Sequence, residues 1–402
     1  IYADGAENIG LTGLGTIDGQ GLIWWKRLWF TDQNSKVKRD MSGVDPADAE
    51  YVKKHGGRPR LIRLVNCRHV RIADLTLRNS PRWTVHPLFC DHVTITGVTI
   101  LNPANSSNTD GINPESCRFV HIANCHIDTG DDAITLKSGH NAVGRRKARP
   151  TENVTITNCT IRRAHGAITI GSEMSGDVRN VTVSNCVFTG TEKGLRIKSN
   201  RDRGGVVERI RIANIVMQDV VEAINLVTSY YSVDTPEQMV PVGEGTPRFR
   251  DIHLSDVIAR GSRRAGQITG LREMPIQDVS LHNVRISAKT GFVLQDATGI
   301  RLTDVQIEVK GGPALKGARV SQIEIAGFRS AAAPKDAALL DFKDVTDLWI
   351  RDARAPAGTA TFLTVRGAAS RGVELRHNDL RAARPPVAVA DGARMDVITS
   401  AP

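Results

Sequence analysis

Asp110, Asp131 and Asp132 bring three carboxylates into one short stretch of chain, and His165, Arg196 and Lys198 follow downstream. Carboxyl groups in pairs can hydrolyse a glycosidic bond, one protonating the leaving oxygen while another activates water or attacks directly. Three neighbouring aspartates repel one another when ionised, which raises the pKa of at least one and keeps a proton available. Arg196 and Lys198, two apart on a strand, would share a face and suit an anionic substrate, the first as a planar fork and the second as a point charge. Taken singly, the motifs have plainer readings. Asp110-Gly111 and Gly130-Asp131-Asp132 read as turns, His165 as a surface or satisfied core histidine, and the Arg-x-Lys pair as solvated charge. The chemistry depends on whether the backbone brings these residues together.

A repeat does so. Short apolar-x-apolar strands begin near Ile9, Val70, Val93, Val120, Val154, Val181, Ile210, Ile252, Val279, Ile300, Ile323, Leu348 and Val373, mostly about 21 to 29 residues apart. Four residues into many of these comes an Asx residue suited to a turn, as at Asp74, Asn124, Asn158, Asn185 and Asn214, and the next position is apolar or cysteine. Such strands, with almost no amphipathic helix, predict an all-β, right-handed, single-stranded parallel β-helix over residues 1–402. Loop insertions are expected at about 24–60 and 232–250, the first with a helix start at Asp45-Pro46. Aligning Gly111-Ile112, Ala133-Ile134, Ala167-Ile168 and Gly194-Leu195 places Asp110 beside Asp132 and Asp131 beside His165. It also sets Arg196 in the file of Thr135 and Thr169, and Lys198 in that of Lys137. Strict alternation would point Asp131 and Asp132 to opposite faces, so the turn after Gly130 must depart from strand geometry.

Bulk composition narrows the partners. A net charge of +10 over 402 residues favours polyanions, but charged residues at 24% and aromatics at 4%, without long Lys/Arg runs, are a poor nucleic-acid signature. No apolar stretch approaches the roughly 20 residues of a membrane span. Six cysteines lack Cys-x-x-Cys spacing, so neither a metal site nor a redox motif is expected. Cys125, Cys159 and Cys186 fall at one register and read as reduced packing residues, with a Cys117–Cys125 bridge as the alternative.

Asn108-Thr109-Asp110-Gly111, Gly130-Asp131-Asp132, His165-Gly166 and Arg196-Ile197-Lys198, in this order, resemble the polygalacturonases of glycoside hydrolase family 28, and the resemblance extends from Gly15-Thr16-Ile17-Asp18-Gly19 to about Met274-Pro275-Ile276. The resemblance implies an inverting hydrolase of α-1,4-galacturonosidic linkages, in which Asp131 is the general acid and Asp110 and Asp132 hold and activate water. It also implies that His165 supports the acid and that Arg196 and Lys198 bind the galacturonate carboxylate. Asn108 is implied to touch substrate, and Tyr230 or Tyr231 to line the site. No cofactor is expected. The implied partner is an acidic polysaccharide (pectate or oligogalacturonides), and the protein is expected to be a monomer, secreted or periplasmic. Ala164 and Ala133 depart from the family pattern by small residues. Ile1-Tyr2-Ala3 resembles a point inside the family's first coils, so an N-terminal cap is expected to be missing. Alternatives are a rhamnogalacturonan hydrolase, a β-helix lyase or methylesterase, and a non-catalytic pectate binder. Attack from a chain end is expected, the two insertions being candidates to wall off one end of the cleft.

Overall fold

A computed structural model describes residues 1–25, 57–230, 238–334 and 336–401. The chain winds into a parallel β-solenoid of about 12 turns. The expected strand starts form its ladder: Ile9 pairs with Val70, Val70 with Val93, and so on through Val120, Val154, Val181, Ile210 and Ile252 to Val279. Ile300, Ile323, Leu348 and Val373 continue the same pattern. Val70 through Val373 are buried, whereas Ile9 in the first coil is only partly so. Burying each such side chain contributes about 1.5–3 kcal/mol, and the repeated register adds these contributions coil by coil.

The Asx positions explain how each coil turns. Asp74, Asn124, Asn158, Asn185, Asn214, Asp256, Asn283, Asp304 and Asp352 all adopt left-handed backbone conformations, which Asn and Asp tolerate better than other non-glycine residues. Several also bond to the equivalent residue one coil away: Asn214 donates to Asn185 at 2.7 Å and Asn283 to Asp256 at 2.7 Å. Where glycine takes the position, as at Gly97, a β-carbon would come 2.4 Å from the Asp74 carboxylate.

All six cysteines are free and buried. Cys125, Cys159 and Cys186 line one inward file, as expected from the adjoining register. Cys67, Cys90 and Cys117 line a second, with the Cys90 amide donating to the Cys117 sulfur at 3.4 Å. Cys117 and Cys125 belong to different files, so the alternative bridge is not formed. Of the first insertion, residues 26–56, including the helix start at Asp45-Pro46, lie outside the described residues. Trp25 is buried and donates to the Ser80 carbonyl at 3.0 Å. Of the second insertion, 238–247 form no strand. Among the described residues no helix is long and apolar enough to cross a membrane.

Candidate active site

The ladder carries Ile112 to Ile134, Ile134 to Ile168 and Ile168 to Leu195. The residues two places upstream therefore stack as Asp110, Asp132 and Gly166, and the amide of Gly111 bonds to the Asp132 carbonyl at 3.0 Å. His165 lies beside Asp131, its amide donating to the Asp131 carbonyl at 3.1 Å. Thr135, Thr169 and Arg196 form the next file. Residues 129–133 belong to no strand, so strict alternation does not apply there, and the bend lets Asp131 and Asp132 contribute to one cluster. The glycines are steric requirements of this bend and of the site. At Gly130 a β-carbon would stand 2.4 Å from the Pro103 and Ser106 carbonyls. At Gly166 it would meet Thr169 Oγ1 at 2.2 Å and the Asp132 carboxylate at 2.8 Å.

Carboxylate oxygens of Asp110, Asp131 and Asp132 all lie within 4.8 Å of one another, yet each has a different environment. Asp132 is buried and accepts from Lys198 Nζ at 2.7 Å and Arg196 Nη1 at 3.2 Å. Burial alone would raise its pKa, but Lys198 and Arg196 outweigh burial and hold the carboxyl far below its usual range. Asp110 is equally buried, with Asn113 donating at 2.9 Å and Lys137 Nζ standing 4.0 Å away. Burial and the neighbouring Asp131 push its pKa up to about 7. Asp131 is the most accessible, its side chain 18% exposed. It accepts from its neighbour's amide at 2.8 Å, from the Asn108 amide at 3.2 Å, and lies 3.4 Å from His165 Nδ1. The hydrogen bond to Asp131 and its charge raise the His165 pKa to about 9, against a smaller opposing effect of burial. Burial, with repulsion from Asp131 behind it, thus raises one carboxyl of the cluster, and the one raised is Asp110.

Tyr230 covers the cations, Lys198 Nζ lying 4.9 Å and the Arg196 guanidinium 5.1 Å from its ring centre. Tyr231 lies outside the described residues. The eight sequence-derived positions (Asn108, Asp110, Asp131, Asp132, His165, Arg196, Lys198 and Tyr230) meet in this one patch. Lys137, with its partner Glu173 at 2.8 Å, and Asn113 complete it. Their sequence signals are slight: Lys137 shares a file with Lys198, and Asn113 follows three residues after Asp110. Positive charge around the acids comes from Arg196, Lys198, Lys137 and His165, so all three carboxylates are attended by the protein's own cations.

The sequence matches Glycosyl hydrolases family 28 over residues 1–307. The chain belongs to glycoside hydrolase family 28. It is 32% identical to a probable polygalacturonase of Vitis vinifera over 75% of this chain and 58% of the relative. It is 31% identical to an endo-polygalacturonase of Pectobacterium carotovorum subsp. carotovorum, over 74% of this chain and 67% of the relative. The chain thus spans somewhat over half the length of the first of these relatives. Among solved structures, a hyperthermoactive exopolygalacturonase from Thermotoga maritima aligns with a TM-score of 0.60 and 29% identity, covering 72% of this chain and 70% of that one. The polygalacturonase of Erwinia carotovora ssp. carotovora aligns with 0.56 and 30%, over the same shares.

Proposed function

We propose that the protein is a pectin-degrading hydrolase that cleaves α-1,4-galacturonosidic linkages with inversion. The observation that carries this reading is the convergence of three unequal aspartates beside Arg196 and Lys198 in a family 28 chain. Asp131, the most accessible carboxyl, is positioned to meet a glycosidic oxygen as general acid, with His165 and Asn108 fixing its orientation. Asp132 stays ionised under its two cations and, with Asp110, orients the water. Arg196 and Lys198 offer charge and hydrogen bonds to a uronate carboxylate, with Tyr230 over them. A polyanionic substrate also fits the net charge of +10. Export from the cytoplasm and a monomeric state are parts of the same reading.

Digesting polygalacturonate and rhamnogalacturonan in parallel tests it. Release of galacturonate reducing ends with inverted anomeric configuration is expected. An unsaturated, ultraviolet-absorbing product would identify a lyase, and binding without reducing ends a non-catalytic binder. Attack from the chain end draws support from the likeness to the Thermotoga maritima exopolygalacturonase, while the Pectobacterium relative is an endo-polygalacturonase. Slow viscosity loss with monomer from the start is expected, and a steep early drop would reject chain-end attack.

A further inference from the structure

One coil before the aspartates the same file continues into a different chemistry. Ile62 pairs with Val85 and Val85 with Ile112, so Arg60 and Trp83 stack ahead of Asp110 and Asp132. The Arg60 guanidinium lies 4.9 Å from the Trp83 ring centre, that of Arg82 5.2 Å, and Lys137 Nζ 4.8 Å. Trp83 is 9% exposed, so its ring holds cations in place and offers little surface to a sugar. Arg58 stands nearby, donating to Asn108 Oδ1 at 2.6 Å and to the Ser107 carbonyl.

Arg60 and Arg82 differ from Arg196, Lys198 and Lys137 in their lack of anions. Among the described residues neither forms an ion pair, and the buried Nε atoms of both are without a hydrogen-bond partner. Glu115, the acid whose charge bears on Arg60, is bonded to His86 at 2.9 Å. Burial and mutual repulsion with Arg82 and Arg63 lower the Arg60 pKa to about 10. A crowded, half-buried group of guanidinium ions without acidic partners is complementary to a carboxylate, which accepts two parallel bonds from one fork.

We infer that Arg60 and Arg82, held against Trp83, form a second carboxylate-binding subsite on the side of the aspartates opposite Arg196 and Lys198. It receives the uronate of a sugar lying across the cleavage point. This rests on the galacturonan reading above. The Arg196 and Lys198 charges sit against Asp132, whose coil is three ladder steps from that of Arg60, roughly 14 Å at about 4.8 Å per step, a span longer than one sugar. A polymer with a carboxylate on every sugar can engage both cationic groups at once, while a dimer cannot.

Calorimetric binding of galacturonate oligomers to the full chain carrying Asp131→Asn tests this. Adding Arg60→Gln or Arg82→Gln is expected to weaken pentagalacturonate about 10-fold, the loss of one charge-assisted pair. Digalacturonate and a fully methyl-esterified pentamer should be affected little. Arg82→Lys, which keeps the charge without the fork, should recover part of the loss. An unchanged pentamer affinity in both glutamine variants with native melting temperatures would overturn the subsite while leaving the hydrolase reading intact. If one glutamine variant fails to fold, the other together with Arg82→Lys decides between these outcomes. Absence of any oligogalacturonate binding to the Asp131→Asn parent, with no cleavage by the unaltered protein, would instead remove the hydrolase reading and the subsite with it.

Discussion

The coils that carry the aspartates and the coils beyond residue 307 share one ladder and differ in what they bury. The file of Arg196 continues through Asn225, Gln267, Val293, Lys316, Asp341 and Thr364 to Ala388. Along it the pairing is unbroken while the chemistry disappears. The site coils bury Asp110, Asp132, Lys137 and Lys198, whereas beyond residue 290 the one buried charged group among the described residues is Asp296, gripped by Arg319 at 2.7 and 2.8 Å. The later coils fill their interior with Phe292, Phe328, Phe342 and Phe362. Buried charges rarely add net stability, and removing one partner leaves the other stranded. The difference teaches that the solenoid is secured by apolar files common to every coil, and that the site is a local replacement of outward positions in a few of them.

The sharpest way to break the comparison is at Asp131. Replacing it by Asn should lower turnover at least about 100-fold, since general-acid catalysis typically contributes 10² to 10⁴, while pectate binding holds and the protein still folds. Reducing-end assays alongside binding would show it, and near-normal turnover would remove Asp131 from the acid role. The converse change is Phe342→Ala in a later coil, which should cost about 3–5 kcal/mol of stability and leave kcat/KM of the folded protein unchanged. A change in kcat/KM with a small change in melting would mean that the later coils contribute to the site. Smaller in effect, Arg196→Ala or Lys198→Ala should weaken productive oligogalacturonate binding about 10-fold, and more so at low salt where charge is least screened. If either spared the kinetics but prevented folding, the pair would be structural.

Much of this was legible in the sequence because the repeat converts spacing into register. Once Gly111-Ile112 was aligned with Ala133-Ile134, Ala167-Ile168 and Gly194-Leu195, the neighbours of Asp132 were fixed, since a parallel ladder leaves no freedom to slide when one face is buried. The Asx residues marked the turns for the same reason. Other features arise from side-chain reach across coils. Trp83 is an unremarkable aromatic in the sequence, and its three cations come from different coils. Arg58 follows an insertion whose length hides its register, and Glu173 is visible only as the partner of Lys137. Which carboxyl is raised was also hidden, because it depends on burial: Asp110 and Asp132 are both enclosed, but only Asp132 has two cations within 3.2 Å.

That asymmetry leads to the most gradual effect, a dependence of stability on pH. The Asp110 carboxyl has a pKa of about 7 in the folded protein and an ordinary one near 3.9 when unfolded. Between these values the folded chain holds a proton that the unfolded chain has released, so stability falls as pH rises through that window. The slope is about 1.4 kcal/mol per pH unit at most for a single group. His165 acts in the opposite part of the scale. Its pKa of about 9 lies above the ordinary value, so its contribution is complete below about 6.5 and is lost as pH rises toward 9. Asp110→Asn keeps the hydrogen-bonding shape without the titration and should flatten the curve between pH 4 and 7 while leaving the decline above 7 in place. Melting temperatures of the two proteins across pH 4 to 9, with a later-coil control such as Asp341→Asn, would decide it. Parallel curves for the unaltered protein and Asp110→Asn below pH 7 would mean that the Asp110 carboxyl is not raised in the folded protein.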